Sequence, residues 1–133
     1  RFQPVKTGCE WITSDEEIAA SYGRDPLRCF RFTVNAYDNM FVSIGEAQSA
    51  RRMKGIPKSL PLLLISGECD PVGGFGKGVR AAYARYRAAG LQQVRCLLYP
   101  GCRHELLNEV DRETVYADLL DWMNAHMAAG QNG

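Results

Sequence analysis

Two side chains in this sequence carry what proton-transfer chemistry needs: Asp70, in the stretch SGECDP, and His104, in PGCRHE. A carboxylate that accepts from the Nδ1 proton of an imidazole fixes its tautomer and stabilises the imidazolium, leaving Nε2 to act as a general base. The chain after Asp70 is also rich in glycine, at positions 73, 74, 76 and 78, and glycine loops can cradle phosphate. That alternative fails on spacing. A Walker loop would need glycine where Pro71 stands and serine or threonine where Gly78 stands. A dinucleotide loop begun at Gly74 and Gly76 would need its third glycine at Val79, whereas the next glycine is Gly78. Aspartate before proline is also a routine turn former. A capping Asp70 and an ordinary loop histidine therefore remain the alternative to a catalytic pair.

For the pair to meet, two strands must end side by side. Leu60 to Ser66 is an apolar run interrupted by Pro61, the pattern of a strand buried on both faces of a parallel sheet. Lys77 to Ala89 predicts a helix stopped by Gly90, with Val79, Tyr83 and Tyr86 on one face. Val94 to Tyr99 predicts a second strand, closed by Pro100-Gly101. Strand, helix and strand imply a parallel pair joined by a right-handed crossover. Catalytic groups of such sheets gather outside the carboxyl ends of the strands, and both Asp70 and His104 fall there. Asp111 is placed to cap a last helix whose inner stripe is Val115, Leu119, Trp122, Met123 and His126.

The first part of the chain is helical instead. Ser14 to Glu17 has the form of a capping box, with Ser14 accepting from the Glu17 amide, and the helix it opens stops near Gly23. Val34 to Arg52 predicts one long helix with Tyr37, Met40, Phe41, Ile44 and Gln48 along a face. Two strands alone do not make a stable sheet, so the second half reads as the edge of something larger.

Composition bounds the class. The chain has 133 residues, 46% hydrophobic and 23% charged, with a formal net charge of +1. That length suits one domain, and that balance offers no electrostatic reason for a nucleic-acid or anionic-membrane partner. No apolar run approaches the length of a transmembrane span, and neither end shows a signal peptide or lipidation motif. The five cysteines lack the paired spacing of zinc sites. Scattered thiols suit a reducing compartment, so a cytoplasmic location is expected.

The segments PLLLISGECDPVGGFGKGVRAAYARYRAAG and VRCLLYPGCRHELLNEVDRETVYADLLDWM closely resemble the C-terminal part of the α/β-hydrolases grouped as lysophospholipases, monoacylglycerol lipases and serine aminopeptidase-like hydrolases. EWITSDEEIAASYGRDPLRCFRFT resembles the segment these proteins carry at the end of their helical cap. The resemblance implies an α/β fold in which 1–56 form the end of the cap and 57–133 the C-terminal part of the core, a β-α-β-α unit of a parallel sheet. It also implies that Asp70 is the triad acid and His104 the triad base, acting on carboxylic esters, small and lipid-like, with no metal or organic cofactor. Trp11, Tyr37, Phe41, Val72 and Phe75 become candidates for lining an acyl-chain pocket, although aromatics at helical spacing are more often core.

The departure from the family pattern is the nucleophile, a serine in a G-x-S-x-G elbow. Ser14, Ser21, Ser43, Ser49, Ser59 and Ser66 all lack the flanking glycines. In family order the serine and the oxyanion-hole donors precede the cap, upstream of Arg1. Cys69 and Cys102 neighbour the acid and the base, but neither stands on a strand-to-helix elbow. The chain opens on Arg1 rather than methionine. The expectation is a trimmed or partial hydrolase, inactive alone, that associates with its missing half or with a copy of itself.

Overall fold

The two apolar runs pair side by side. In a computed structural model that describes residues 2–130, with backbone alone for Cys29 and 128–130, β1 (Leu62–Gly67) and β2 (Val94–Tyr99) form a parallel two-stranded sheet. Register runs from Leu62 beside Val94 to Gly67 beside Tyr99. β1 starts two residues later than the apolar run because Pro61 has no N–H to give a ladder and Leu60 donates to the Pro57 carbonyl in a turn.

α4 (Lys77–Ala88) carries the chain from one strand to the next. It begins where Phe75 and Gly76 are both left-handed, at φ 57° and 80°, a sharp reversal that glycine tolerates freely and phenylalanine rarely adopts. At its far end the Arg87 guanidinium donates to the carbonyls of Leu91 and Gln92, at 3.1 and 2.7 Å.

α5 (Arg112–Gly130) closes the unit. Val115, fully buried, packs with Tyr99, Cys102 and Leu106, and Ile65, Leu97 and Leu119 surround that cluster. The inner stripe is thus shorter than its periodicity suggests. Met123 is exposed, while the His126 and Trp122 rings lie 4.4 Å apart, tilted by 34°, with His126 Nδ1 2.7 Å from the Trp122 carbonyl oxygen.

The Tyr99 hydroxyl donates to Asp118 Oδ2 at 2.9 Å, tying the end of β2 to α5. Burial, and then this hydrogen bond, push the Tyr99 phenol up to about 12. In the unfolded chain it ionises at about pH 10. Between those values the unfolded state gives up a proton that the folded state keeps, so stability falls as pH rises. Tyr99→Phe is expected to flatten that limb when urea midpoints are compared with wild type from pH 9 to pH 12, and an unchanged slope would show that the phenol does not titrate this way.

The helical first part differs from the sequence expectation in two places. α1 (Glu16–Arg24) is capped by Asp15, whose Oδ1 accepts from the amides of Glu17 and Ile18 at 3.0 and 3.1 Å. Ser14, expected to be that cap, instead turns both its amide and its hydroxyl to Glu109. A second difference is that the single helix from Val34 to Arg52 is two: α2 (Val34–Ala47) and α3 (Ala50–Lys54). The break falls where Ser49 leaves helical geometry at ψ 124°, and the Arg85 guanidinium takes the Gln48 carbonyl that a continuous helix would have used. The apolar face of α2 is unburied: Tyr37, Met40, Phe41 and Ile44 are all exposed. Phe30, Phe32, Tyr37 and Phe41 continue it as a chain of ring contacts, with centroids 5.1, 5.5 and 6.3 Å apart. Among the described residues no helix is long and apolar enough to cross a membrane.

Candidate active site

The strand ladder does not stop where the strands do. Glu68 donates to the Tyr99 carbonyl at 3.0 Å and Cys69 to the Cys102 carbonyl at 2.9 Å, so the loops after β1 and β2 leave the sheet side by side. Gly67 makes this approach sterically allowed: a Cβ there would overlap the carbonyl oxygens of Cys102 and Arg103. The residue has no side chain because another stretch of backbone occupies the space.

Asp70 and His104 meet across this junction. His104 Nδ1 lies 3.2 Å from both Asp70 Oδ1 and Oδ2, and Oδ1 also accepts the Val72 amide at 2.8 Å. The carboxylate is buried, whereas 37% of the imidazole is exposed, so the carboxylate is shielded and the imidazole reachable. With Nδ1 turned to the carboxylate, Nε2 is the nitrogen left for a reacting group. The Trp11 ring stands against the imidazole, centroids 5.2 Å apart and tilted by 42°. Beside the pair opens a cavity of about 540 Å³, lined by Ser66, Asp70, Val72, His104 and Leu106 among others.

The glycine turn is committed to itself. Amides of Gly74, Phe75, Lys77 and Gly78 donate to the carbonyls of Pro71, Asp70, Gly74 and Gly73. These are the donors a phosphate cradle would have to present, and they are spent on the turn that holds Asp70.

Residues 103–109 are stitched to residues 10–14. Arg103 donates its guanidinium to the Glu10 carbonyl and, at 3.0 Å, to the Thr13 carbonyl. The Glu105 amide reaches the Ile12 carbonyl at 2.8 Å, and the Thr13 hydroxyl the Asn108 carbonyl at 2.7 Å. Glu109, fully buried, accepts the Arg103 amide at 2.5 Å on one oxygen and the Ser14 amide at 2.9 Å on the other.

Of the pocket-lining candidates, Val72 borders the cavity and Trp11 touches the His104 ring. Phe75 is half-buried in the turn, outside the cavity lining. Tyr37 and Phe41 stand on the exposed face of α2, also outside that lining. Ser66 borders the cavity without having been singled out as a lining residue; its one legible signal is a lone hydroxyl ending an apolar strand, four positions before Asp70. Its hydroxyl donates to the Gly67 carbonyl, at 3.3 Å. Among the described residues no serine hydroxyl is hydrogen-bonded to His104. Burial chiefly, then Glu109, Asp111 and Cys69, push the Cys102 thiol up, which disfavours the thiolate a nucleophile needs. No group of three or more His, Cys, Asp or Glu among the described residues is arranged to hold a metal ion.

A parallel strand pair with a crossover helix, and an aspartate–histidine contact just past the two strand ends, place this fold as part of an α/β-hydrolase. The chain belongs to the hydrolase family described as serine aminopeptidase, S33, which residues 1–111 match. It is similar to the monoacylglycerol lipase of Mycolicibacterium smegmatis, 25% identical over 119 residues, a match covering 87% of this chain and 39% of the lipase. Among solved structures it is similar to a highly thermostable carboxyl esterase from Bacillus coagulans in complex with glycerol, with a TM-score of 0.76 at 32% identity over 94% of this chain and 41% of the esterase. A lipase in its open form matches with a TM-score of 0.77 at 26% identity, over 92% of this chain and 41% of the lipase. The chain thus spans about two fifths of the length of these relatives.

Proposed function

We propose that this chain supplies the acid–base half of a Ser-His-Asp ester hydrolase of the lysophospholipase or monoacylglycerol lipase type. The observation that carries the reading is the Nδ1–carboxylate contact at 3.2 Å past two adjacent strand ends. In the reaction, His104 Nε2 takes the proton of a serine hydroxyl as its oxygen attacks the ester carbonyl carbon. The tetrahedral intermediate collapses, the ester C–O bond breaks, and the same proton passes to the leaving alcohol. Water, deprotonated by Nε2, then attacks the acyl carbon, the bond from that carbon to the serine oxygen breaks, and the proton returns from Nε2 to that oxygen, while Asp70 accepts from Nδ1 throughout. The serine and the oxyanion donors come from outside these residues, either from a further stretch of the same protein or from an associated polypeptide. No metal or organic cofactor takes part.

Residues 1–56 then belong to the cap over the site and 57–133 to the core. The exposed aromatic face of α2 supports that assignment, since an apolar helix face of this size is normally covered. Ile65, Val72, Val79, Leu106 and Leu107 give the cavity beside the pair an apolar wall, which suits a small, lipid-like ester. Cys9, Cys69, Cys96 and Cys102 are free thiols, which supports a reducing, cytoplasmic setting.

One observation favours a second reading, a non-catalytic remnant: the base has no hydroxyl bonded to it among the described residues. Fluorophosphonate labelling separates the two. The 133-residue polypeptide alone is expected to remain unlabelled, and the protein that joins it to a G-x-S-x-G serine is expected to label and to hydrolyse monoacylglycerols. Labelling of the polypeptide alone would place the nucleophile within it; no hydrolysis by the joined protein would leave the remnant reading standing.

A further inference from the structure

We infer that Glu109 is a positioning residue for His104, acting through the Arg103 amide and Ser14 rather than on substrate. This rests on the reading of His104 as the general base.

A fully buried carboxylate is retained only where donors meet its charge. Those of Glu109 come from the two segments that flank the imidazole. Oε1 takes the amide of Arg103, the residue immediately before His104, at 2.5 Å. Oε2 takes both the amide and the hydroxyl of Ser14, which lies 95 positions upstream in sequence. Ser14 follows closely on Trp11, whose ring rests on the imidazole. One carboxylate therefore sets the peptide that launches the base and anchors the segment whose indole backs it. The Arg103 guanidinium, with the Thr13 hydroxyl and the Glu105 amide, closes the same seam from either side. Asp70 reaches His104 through Nδ1 alone, a contact that fixes tautomer but leaves the ring free to tilt. Glu109 limits that freedom indirectly, by holding the peptide before His104 and the segment that carries Trp11.

The test compares Glu109→Ala, Glu109→Gln and Ser14→Ala in the hydrolytically active protein that contains this chain. Glu109→Ala is expected to lower kcat about 10²-fold with KM little changed, the penalty of a reacting group moved by about an ångström. The Nδ1 proton resonance of His104 is expected to broaden or vanish although Asp70 is intact. Glutamine, with one acceptor and one donor group, restores part of the rate. Ser14→Ala removes a single donor, leaves the Ser14 amide in place, and gives a smaller fall in kcat even if the alanine variant at 109 fails to fold. If the folded Glu109→Gln and Ser14→Ala proteins keep both wild-type kcat and the Nδ1 signal, or if activity falls only in step with the unfolded fraction, the inference is wrong. His104→Ala distinguishes the levels: retained turnover there overturns the reading of the base itself, whereas an inactive His104→Ala beside fully active Glu109 and Ser14 variants overturns only the role of Glu109.

Discussion

Asp70→Asn is expected to slow ester hydrolysis by about 10⁴-fold in the active protein while leaving its melting temperature nearly unchanged. The substitution is almost isosteric, and the Val72 amide that donates to Oδ1 at 2.8 Å keeps an acceptor. That bond orients the amide so that its NH₂ group faces His104 Nδ1, where a carboxylate oxygen stood at 3.2 Å. A donor there forces the opposite tautomer, with the proton on Nε2, and an Nε2 that carries a proton cannot take one from serine. The imidazolium also loses its counter-charge on a side where Asp70 is buried from water. Steady-state kcat alongside thermal unfolding checks this. A loss of less than about tenfold at unchanged stability would mean that Asp70 is a turn cap and not the acid.

Gly67→Ala is expected to damage stability and site together. Replacing glycine by alanine in ordinary extended backbone gains about 0.4–1 kcal/mol, because the unfolded chain becomes less free. Here the added methyl would overlap the carbonyl oxygens of Cys102 and Arg103, which belong to backbone and cannot rotate away. Overpacking of that kind costs about 3 kcal/mol, so the clash wins and the net change is destabilising. Relief can come only by parting the two loops, which carries Asp70 away from His104. Gly45 provides the control: it lies inside α2 with nothing within 4 Å of an added Cβ, so Gly45→Ala is expected to stabilise by up to about 1 kcal/mol. Urea midpoints at constant m-value decide the matter. If Gly67→Ala is neutral or stabilising, the loops have more slack than the close approach implies.

Much of the scaffold was legible because its signals are local. Two apolar runs about thirty residues apart, a helical stretch between them and glycine or proline stops predict a parallel pair, and β2 was delimited at Val94 and Tyr99 as found. That Asp70 and His104 lie just past adjacent strand ends follows from the same pattern, since topology alone brings residues 70 and 104 to one rim. Their hydrogen bond does not follow. It depends on Gly67 admitting the carbonyls of Cys102 and Arg103, a contact between segments that no periodicity records.

The helical first part shows the opposite case. A capping box at Ser14 is a sound local inference, but a buried carboxylate distant in sequence competes for the same hydroxyl and amide, and a charged acceptor out of water wins. The long helix ends early where the Arg85 guanidinium takes the Gln48 carbonyl, despite an unbroken spacing of apolar residues. The sequence by itself thus determined which residue types stand at the strand ends, since backbone propensity and burial pattern act within a few residues. Only the tertiary structure decided that Asp70 and His104 touch, that Glu109 braces the loop between them and Trp11, and that the apolar face of α2 stays exposed, because those outcomes turn on which distant groups compete for the same donors and the same space.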